Sequence, residues 1–132
     1  MRDLFNNLLT ILSLHIQALT DAAVGDAYVD LQGFQGALIQ IFSGTITDGT
    51  SYEFELQESD NHVDFTAVAD DDLLGEEPTF LAADSNKVKE LGYIGSKQYL
   101  RVDLKTVLGG PSTGGVFGAA VVKGFARHAS TR

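Results

Sequence analysis

Glycine punctuates this chain at short intervals, at Gly25, Gly33 to Gly36, Gly44, Gly49, Gly75, Gly92 to Gly95, Gly109-Gly110, Gly114-Gly115 and Gly124. The runs between these marks are short and apolar or alternating, which leaves little room for helices and predicts an all-β protein. The clearest run is Tyr52-Glu53-Phe54-Glu55-Leu56-Gln57, with Tyr52, Phe54 and Leu56 on one face and carboxylates on the other. Such a period of two describes a strand buried on one side and wet on the other. Further strands are expected at Tyr28 to Leu31, Ala37 to Phe42, Val63 to Val68, Tyr99 to Thr106 and Val116 to Val122. The spacing predicts an antiparallel β-sandwich, jelly-roll-like, of about seven to nine strands.

Ala37 to Phe42 is apolar on both faces apart from Gln40. It reads as a central strand or as one covered by a neighbouring subunit. Asp48-Gly49, between two such runs, is a hairpin signal because both residues tolerate positive φ. Gly109 to Gly115 is expected to be a loop free to move or to order on a partner.

The N-terminal segment carries two periodicities. Phe5, Leu8, Leu9, Leu12, Ile16 and Leu19 fit a helical stripe, whereas Leu12, Leu14, Ile16 and Ala18 alternating with Ser13, His15 and Gln17 fit a strand. A strand over Thr10 to Ala18 agrees better with the rest of the chain. Residues 1–9 are then an arm before a single domain of residues 10–132, and Leu4, Phe5, Leu8 and Leu9 need something apolar to lie against.

Gly92-Tyr93-Ile94-Gly95-Ser96-Lys97 has the glycines of a phosphate loop in the wrong register. Ser96 precedes Lys97, and Leu100, Val102 and Leu104 then alternate with Tyr99, Arg101 and Asp103, so the anion-binding helix is missing. The stretch reads as a turn feeding a strand.

At 132 residues the chain is one domain by length, and 44% hydrophobic residues suffice for a core. A net charge of −9 repels nucleic acid and anionic membrane surfaces, so neither is an expected partner. No apolar run reaches the length of a membrane span, and the start MRDLFNN lacks the pattern of a signal peptide, so a protein made in the cytoplasm is expected. Acidic residues concentrate between Glu53 and Glu90, whereas Lys97, Arg101, Lys105, Lys123, Arg127 and Arg132 oppose only Asp103 in the last third. This is either a solvated surface or a pair of patches that meet between copies.

No chemistry-bearing constellation emerges. His15, His62 and His128 are scattered, there is no cysteine, and Asp70-Asp71-Asp72 lacks the alternate ligand spacing of a calcium loop. The serines sit in no nucleophile-elbow context. No metal, cofactor or catalytic site is expected.

The segments MRDLFNN, VDLQGF, ELQESDN, ADDDLLG, ELGYIGSKQYLRV and TGGVFGAAVVKGFARHA, in this order, resemble a family of small proteins encoded in the head gene cluster of tailed bacteriophages and prophages. That resemblance implies a virion structural protein. A small acidic β-domain with an apolar arm suits a decoration, or cement, protein on the outside of the head. The major capsid protein and further copies of the chain, in a homotrimer, would be its partners. Leu4, Phe5, Leu8 and Leu9 of the arm and Phe125, Arg127 and His128 of the tail are the candidate contacts. The alternatives are a head–tail connector or tail-completion protein, and a carbohydrate-binding surface module, which the absence of tryptophan disfavours.

Overall fold

The computed structural model describes residues 8–25, 27–32 and 34–126, with the side chains of Gln35, Phe125 and Ala126 left aside. Ten strands are present among them: β1 (Leu9–Leu19), β2 (Val29–Asp30), β3 (Phe34–Ile46), β4 (Ser51–Ser59), β5 (Thr66–Ala67), β6 (Leu73–Leu74), β7 (Thr79–Phe80), β8 (Val88–Tyr93), β9 (Tyr99–Leu108) and β10 (Gly115–Ala126). The count exceeds the seven to nine expected because β5, β6 and β7 are two-residue pieces in the acidic middle of the chain. One sheet runs β1-β10-β3-β8-β6 and the other β2-β9-β4-β5, with β7 also on β4; all ladders are antiparallel. Successive strands lie in opposite sheets from β1 to β4 and from β5 to β10, and the last lies between the first and the third. This is the double Greek-key order of a jelly roll.

Alternation explains the core. Ile39 and Ile41 of β3, Leu91 and Tyr93 of β8, and Phe117, Ala119 and Val121 of β10 point inward from the first sheet. Tyr52, Phe54 and Leu56 of β4 and Leu100, Val102 and Leu104 of β9 meet them from the second. Phe117 joins the layers, with ring centroids 4.8 Å from Tyr52, 5.3 Å from Phe54 and 5.5 Å from Phe80. Such offset and edge contacts add to the area they bury.

Four expectations are corrected. β1 does not keep its simple alternation: register shifts between Leu12 and Leu14 and between Leu14 and Gln17 bury Ser13 beside Leu14 and leave Ile16 64% exposed with Leu12 on the outer face. These are bulges, which re-aim side chains along a strand. Buried Ser13 donates its hydroxyl to the Ala27 carbonyl at 2.8 Å and accepts the Val102 N–H at 3.0 Å, so the misfit becomes a rivet between the sheets. Asp48-Gly49 is a corner and not a hairpin, because β3 and β4 lie in different sheets; Gly49 does take φ 89° there. Gly92 and Tyr93 belong to β8, so the turn before β9 is shorter than expected.

The fourth correction concerns Gly109 to Gly115, which is tied down. The Asp48 carboxylate accepts the N–H groups of Ser112 at 3.0 Å, Thr113 at 3.1 Å and Gly114 at 2.5 Å. The Gly114 bond first, then that of Thr113, lowers the Asp48 pKa to about 2 against the opposing effect of burial. Gly114 itself has φ 80°, and a Cβ there would lie 1.9 Å from the Leu19 carbonyl oxygen. Only glycine fits.

Candidate interaction surface

The outer faces of the two sheets differ in kind. On the first sheet, bulged β1 turns Leu12 and Ile16 outward, β3 adds Leu38 and Phe42, β8 adds Val88, and Val122 of β10 lies between. Ile16, Leu74 and Val88 are each more than half exposed. The polar pair in this field is self-contained: Gln40 Nε2 donates to Glu90 Oε2 at 2.8 Å across the β3–β8 ladder. Phe42 and Ile16 close over Gly118 from both sides, and a Cβ on Gly118 would stand 2.7 Å from each. At one end the face deepens into an apolar groove of about 380 Å³, floored by Gly36, Gly92 and Gly124 and walled by Leu38, Leu74 and Ile94.

The second sheet shows solvent a set of charges that satisfy one another. Lys105 Nζ lies 3.0 Å from Glu55, and Arg101 Nε lies 3.2 Å from Asp103, while the Arg101 guanidinium also bonds Gln57. Burial pushes Glu55 up, but hydrogen bonds from Gln57 and Lys105 outweigh it and hold its pKa below the usual value. Asp103 is raised, because burial under the β1–β2 crossing exceeds the help of the Gly25 N–H at 2.8 Å and of Arg101. Glu77 is likewise raised by burial, although it accepts the Leu56 N–H at 2.6 Å. Lys97 reaches Asp60 at 2.6 Å, and Lys87 and Lys89 reach Asp84 at 3.5 Å and 3.2 Å. Lys123 is buried beside the Phe34 ring and donates to the Asp30 carbonyl at 3.0 Å, with burial lowering its pKa. Each described cation is thus engaged within one chain. The sequence's basic and acidic segments meet each other here, which removes the reason to pair them between copies.

The Gly92 to Lys97 stretch builds no anion cradle. Tyr93 donates its hydroxyl to Glu58 Oε1 at 2.8 Å and accepts the Lys97 N–H at 3.0 Å; burial, then the Glu58 bond, push the phenol pKa far up. A second feature is an aromatic cluster beside the β5 edge. His62, held at φ 54° by the Asn61 turn, stacks on Tyr28 at 5.0 Å, and Tyr99 meets both edge-on. Arg101 lies over Phe65 at 4.2 Å, and Tyr28 is 46% exposed.

Of the sequence-predicted contact residues, Leu8 lines the apolar groove, and Leu9, assigned to the arm, is the first residue of β1, opposite Lys123. Phe125 is in β10 by its backbone. Leu4, Phe5, Arg127 and His128 lie outside the described residues. Sequence reasoning found Leu38 and Phe42 through the doubly apolar run but missed Leu74, Val88 and Ile94, which sit in short or glycine-broken segments. His15 and His62 lie on separate elements, and the Asp70–Asp72 carboxylates form one 3-10 turn. No group of described residues could hold a metal ion, and no described helix is long and apolar enough to cross a membrane.

No protein-family model and no curated protein matches the chain. Among solved structures, its fold is similar to that in the crystal structure of SPBc2 prophage-derived protein YomS, with a TM-score of 0.55 over 89% of this chain and 93% of that one, at 18% identity. At that identity the likeness is one of fold.

Proposed function

We propose that the protein is a structural component of a tailed-phage virion, and within it a decoration protein that binds as a homotrimer to the outside of the head. The observation that carries the reading is the apolar outer face of the first sheet. A stable domain carries so large an apolar field, with a Gln40–Glu90 pair set in it, where other chains cover it, and a virion is an assembly of repeated chains. The sequence resemblance to head-cluster proteins supports the reading, as does a fold similar to that of a prophage-derived protein. Leu9 pairs with Lys123, so the start of β1 and the end of β10 lie on neighbouring strands. The two ends of the chain, with Leu4, Phe5, Leu8, Phe125, Arg127 and His128, are assigned to the major capsid protein. The acidic charge balance suits a position away from packaged DNA.

The test is a mass-spectrometric copy count on purified particles. Hundreds of copies are expected; a dozen or fewer would transfer the protein to the connector, and absence from particles would end the structural reading. A carbohydrate-binding role has one observation in its favour, the half-exposed Tyr28 in the Tyr28–His62–Tyr99 cluster. Saturation-transfer NMR with host surface glycans, showing contacts at Tyr28, would favour it.

A further inference from the structure

We propose that the outer face of the β1-β10-β3-β8-β6 sheet is the surface through which copies of this chain join one another, so that its occupant is a second copy and not the capsid. The proposal rests on the self-association in the functional reading above and assigns it to particular residues; a face that meets its own copy closes a two-fold pair, so the proposal departs from the trimer of that reading.

Size comes first. Four strand spacings of about 4.8 Å and about six residues at about 3.3 Å give a flat footprint on the order of 400 Å². Isolated exposed apolar residues need no partner, but a contiguous field of this extent is at the scale where patches act in recognition. Two such faces, with the relief of Leu38 and Val88 and the groove beside Leu74 included, approach the roughly 1,000 Å² at the lower end of specific interfaces.

Composition then selects the partner. Interfaces between permanent copies are more apolar than those between chains that meet and part, and they exclude charge from their centre. Leu12, Ile16, Leu38, Val88 and Val122 satisfy this description, and the Gln40 amide already occupies Glu90. The cations among the described residues are engaged within the chain, so no described cation outside this face asks for an anionic partner. The packing of Ile16 and Phe42 over Gly118 also fixes the relief of the face before association. A preformed surface loses less side-chain freedom on binding.

Glu90 distinguishes a copy from a foreign chain. In contact with a second copy its charge is buried without a cation and opposes association; against a basic partner it would be an attraction. Leu38→Asp and Glu90→Gln are therefore compared with the unaltered protein by sedimentation equilibrium, with circular dichroism and melting temperature recorded for each. Leu38 is 37% exposed on the outer face, so its variant is expected to fold. Val88→Lys, at a residue 58% exposed, replaces it if it does not.

The expected result is an oligomer that Leu38→Asp weakens by about 100-fold or more, as burial of an unpaired charge does, and that Glu90→Gln leaves equal or tighter. A monomeric unaltered protein at high concentration, or a folded Leu38→Asp or Val88→Lys variant with unchanged association, overturns the proposal. So does Glu90→Gln loosening the oligomer. Failure of the virion reading shows separately, as absence from particles, whichever way these measurements fall.

Discussion

The two sheets of this sandwich share one core and turn opposite characters outward. Outside the second sheet, Glu55, Gln57, Arg101, Asp103 and Lys105 form a closed set of ion pairs and hydrogen bonds. Outside the first, Leu12, Ile16, Leu38, Phe42, Val88 and Val122 surround a Gln40–Glu90 pair. Both are antiparallel faces that the alternation rule would make polar. The difference teaches that the pairs on the second face close within one chain, whereas the first is left apolar, which is where we propose that other copies sit. Substitutions on the second should therefore lower the stability of the single domain, and those on the first should change association instead.

The largest effect is expected at Asp103→Ala. It strips the Gly25 N–H of its acceptor and leaves Arg101, whose side chain is 22% exposed, without its carboxylate. Removing one partner from a largely buried pair costs about 3 to 5 kcal/mol, and partial exposure of Arg101 places the expectation toward about 3. Denaturant unfolding monitored by tyrosine fluorescence reads it; a loss below about 1 kcal/mol would show that the second face does not depend on its internal pairs. Next is Tyr93→Phe, which leaves the Glu58 carboxylate and the Lys97 N–H without the bridging hydroxyl. A loss of about 1 to 3 kcal/mol follows from stranding buried polar groups, and the same unfolding curve measures it.

Acid should act at the corner where the sheets meet. The folded-state pKa of Asp48 is lowered to about 2, so its contribution is fully present above the ordinary carboxylate value and is lost as pH falls toward 2. Asp103 and Glu77 have raised values, so their buried charges oppose folding above their folded pKa and that opposition fades on acidification. Hydrogen exchange of the Ser112, Thr113 and Gly114 amides should therefore quicken in acid, relative to the intrinsic rate, before the β4–β9 ladder opens. Asp48→Asn should bring the same loosening to neutral pH and lower the melting temperature by a few degrees.

How much of this was legible depends on distance along the chain. β4 and β9 declare themselves because their alternation is local, and β3 announces both of its apolar faces in six residues. β8 was hidden because Lys87-Val88-Lys89-Glu90-Leu91-Gly92 mixes charge and glycine into a strand whose inward Leu91 and Tyr93 are interpretable only beside Ile39 and Ala37. The bulges of β1 left no local mark, since Ser13 is buried by partners 14 and 89 residues away. Gly109 to Gly115 read as a free loop because its tether, Asp48, lies more than 60 residues earlier. The apolar face was half visible for a related reason: Leu38 and Phe42 lie in a continuous run, but Leu74, Ile94 and Val122 join them only through the sheet order.

A smaller effect is expected on the second face at its exposed rim. Lys105, with 61% of its side chain exposed, holds Glu55, and Lys105→Met should cost little, as the loss of an exposed ion pair does. A thermal melt in low and high salt checks it, since the difference from the unaltered protein should shrink as salt screens the pair.

The smallest change in folding stability, and the sharpest separation of the two faces, is expected at Ile16→Ser. Ile16 is 64% exposed, so an isolated domain loses little on truncation, within about 0.5 kcal/mol, apart from the contact its Cγ1 makes over Gly118 beside Phe42. In an assembly that covers this face the same side chain is buried, and its removal forfeits about 1.5 to 3 kcal/mol of apolar transfer. That corresponds to roughly 10- to 150-fold in association. Chemical denaturation at low protein concentration, where single domains dominate, and sedimentation at high concentration should therefore disagree for this variant and agree for Lys105→Met. If Ile16→Ser instead destabilises the isolated domain as much as it weakens association, the bulge of β1 places Ile16 to support Phe42 rather than to meet another chain, and the contrast between the faces narrows to the β3–β8 half of the sheet.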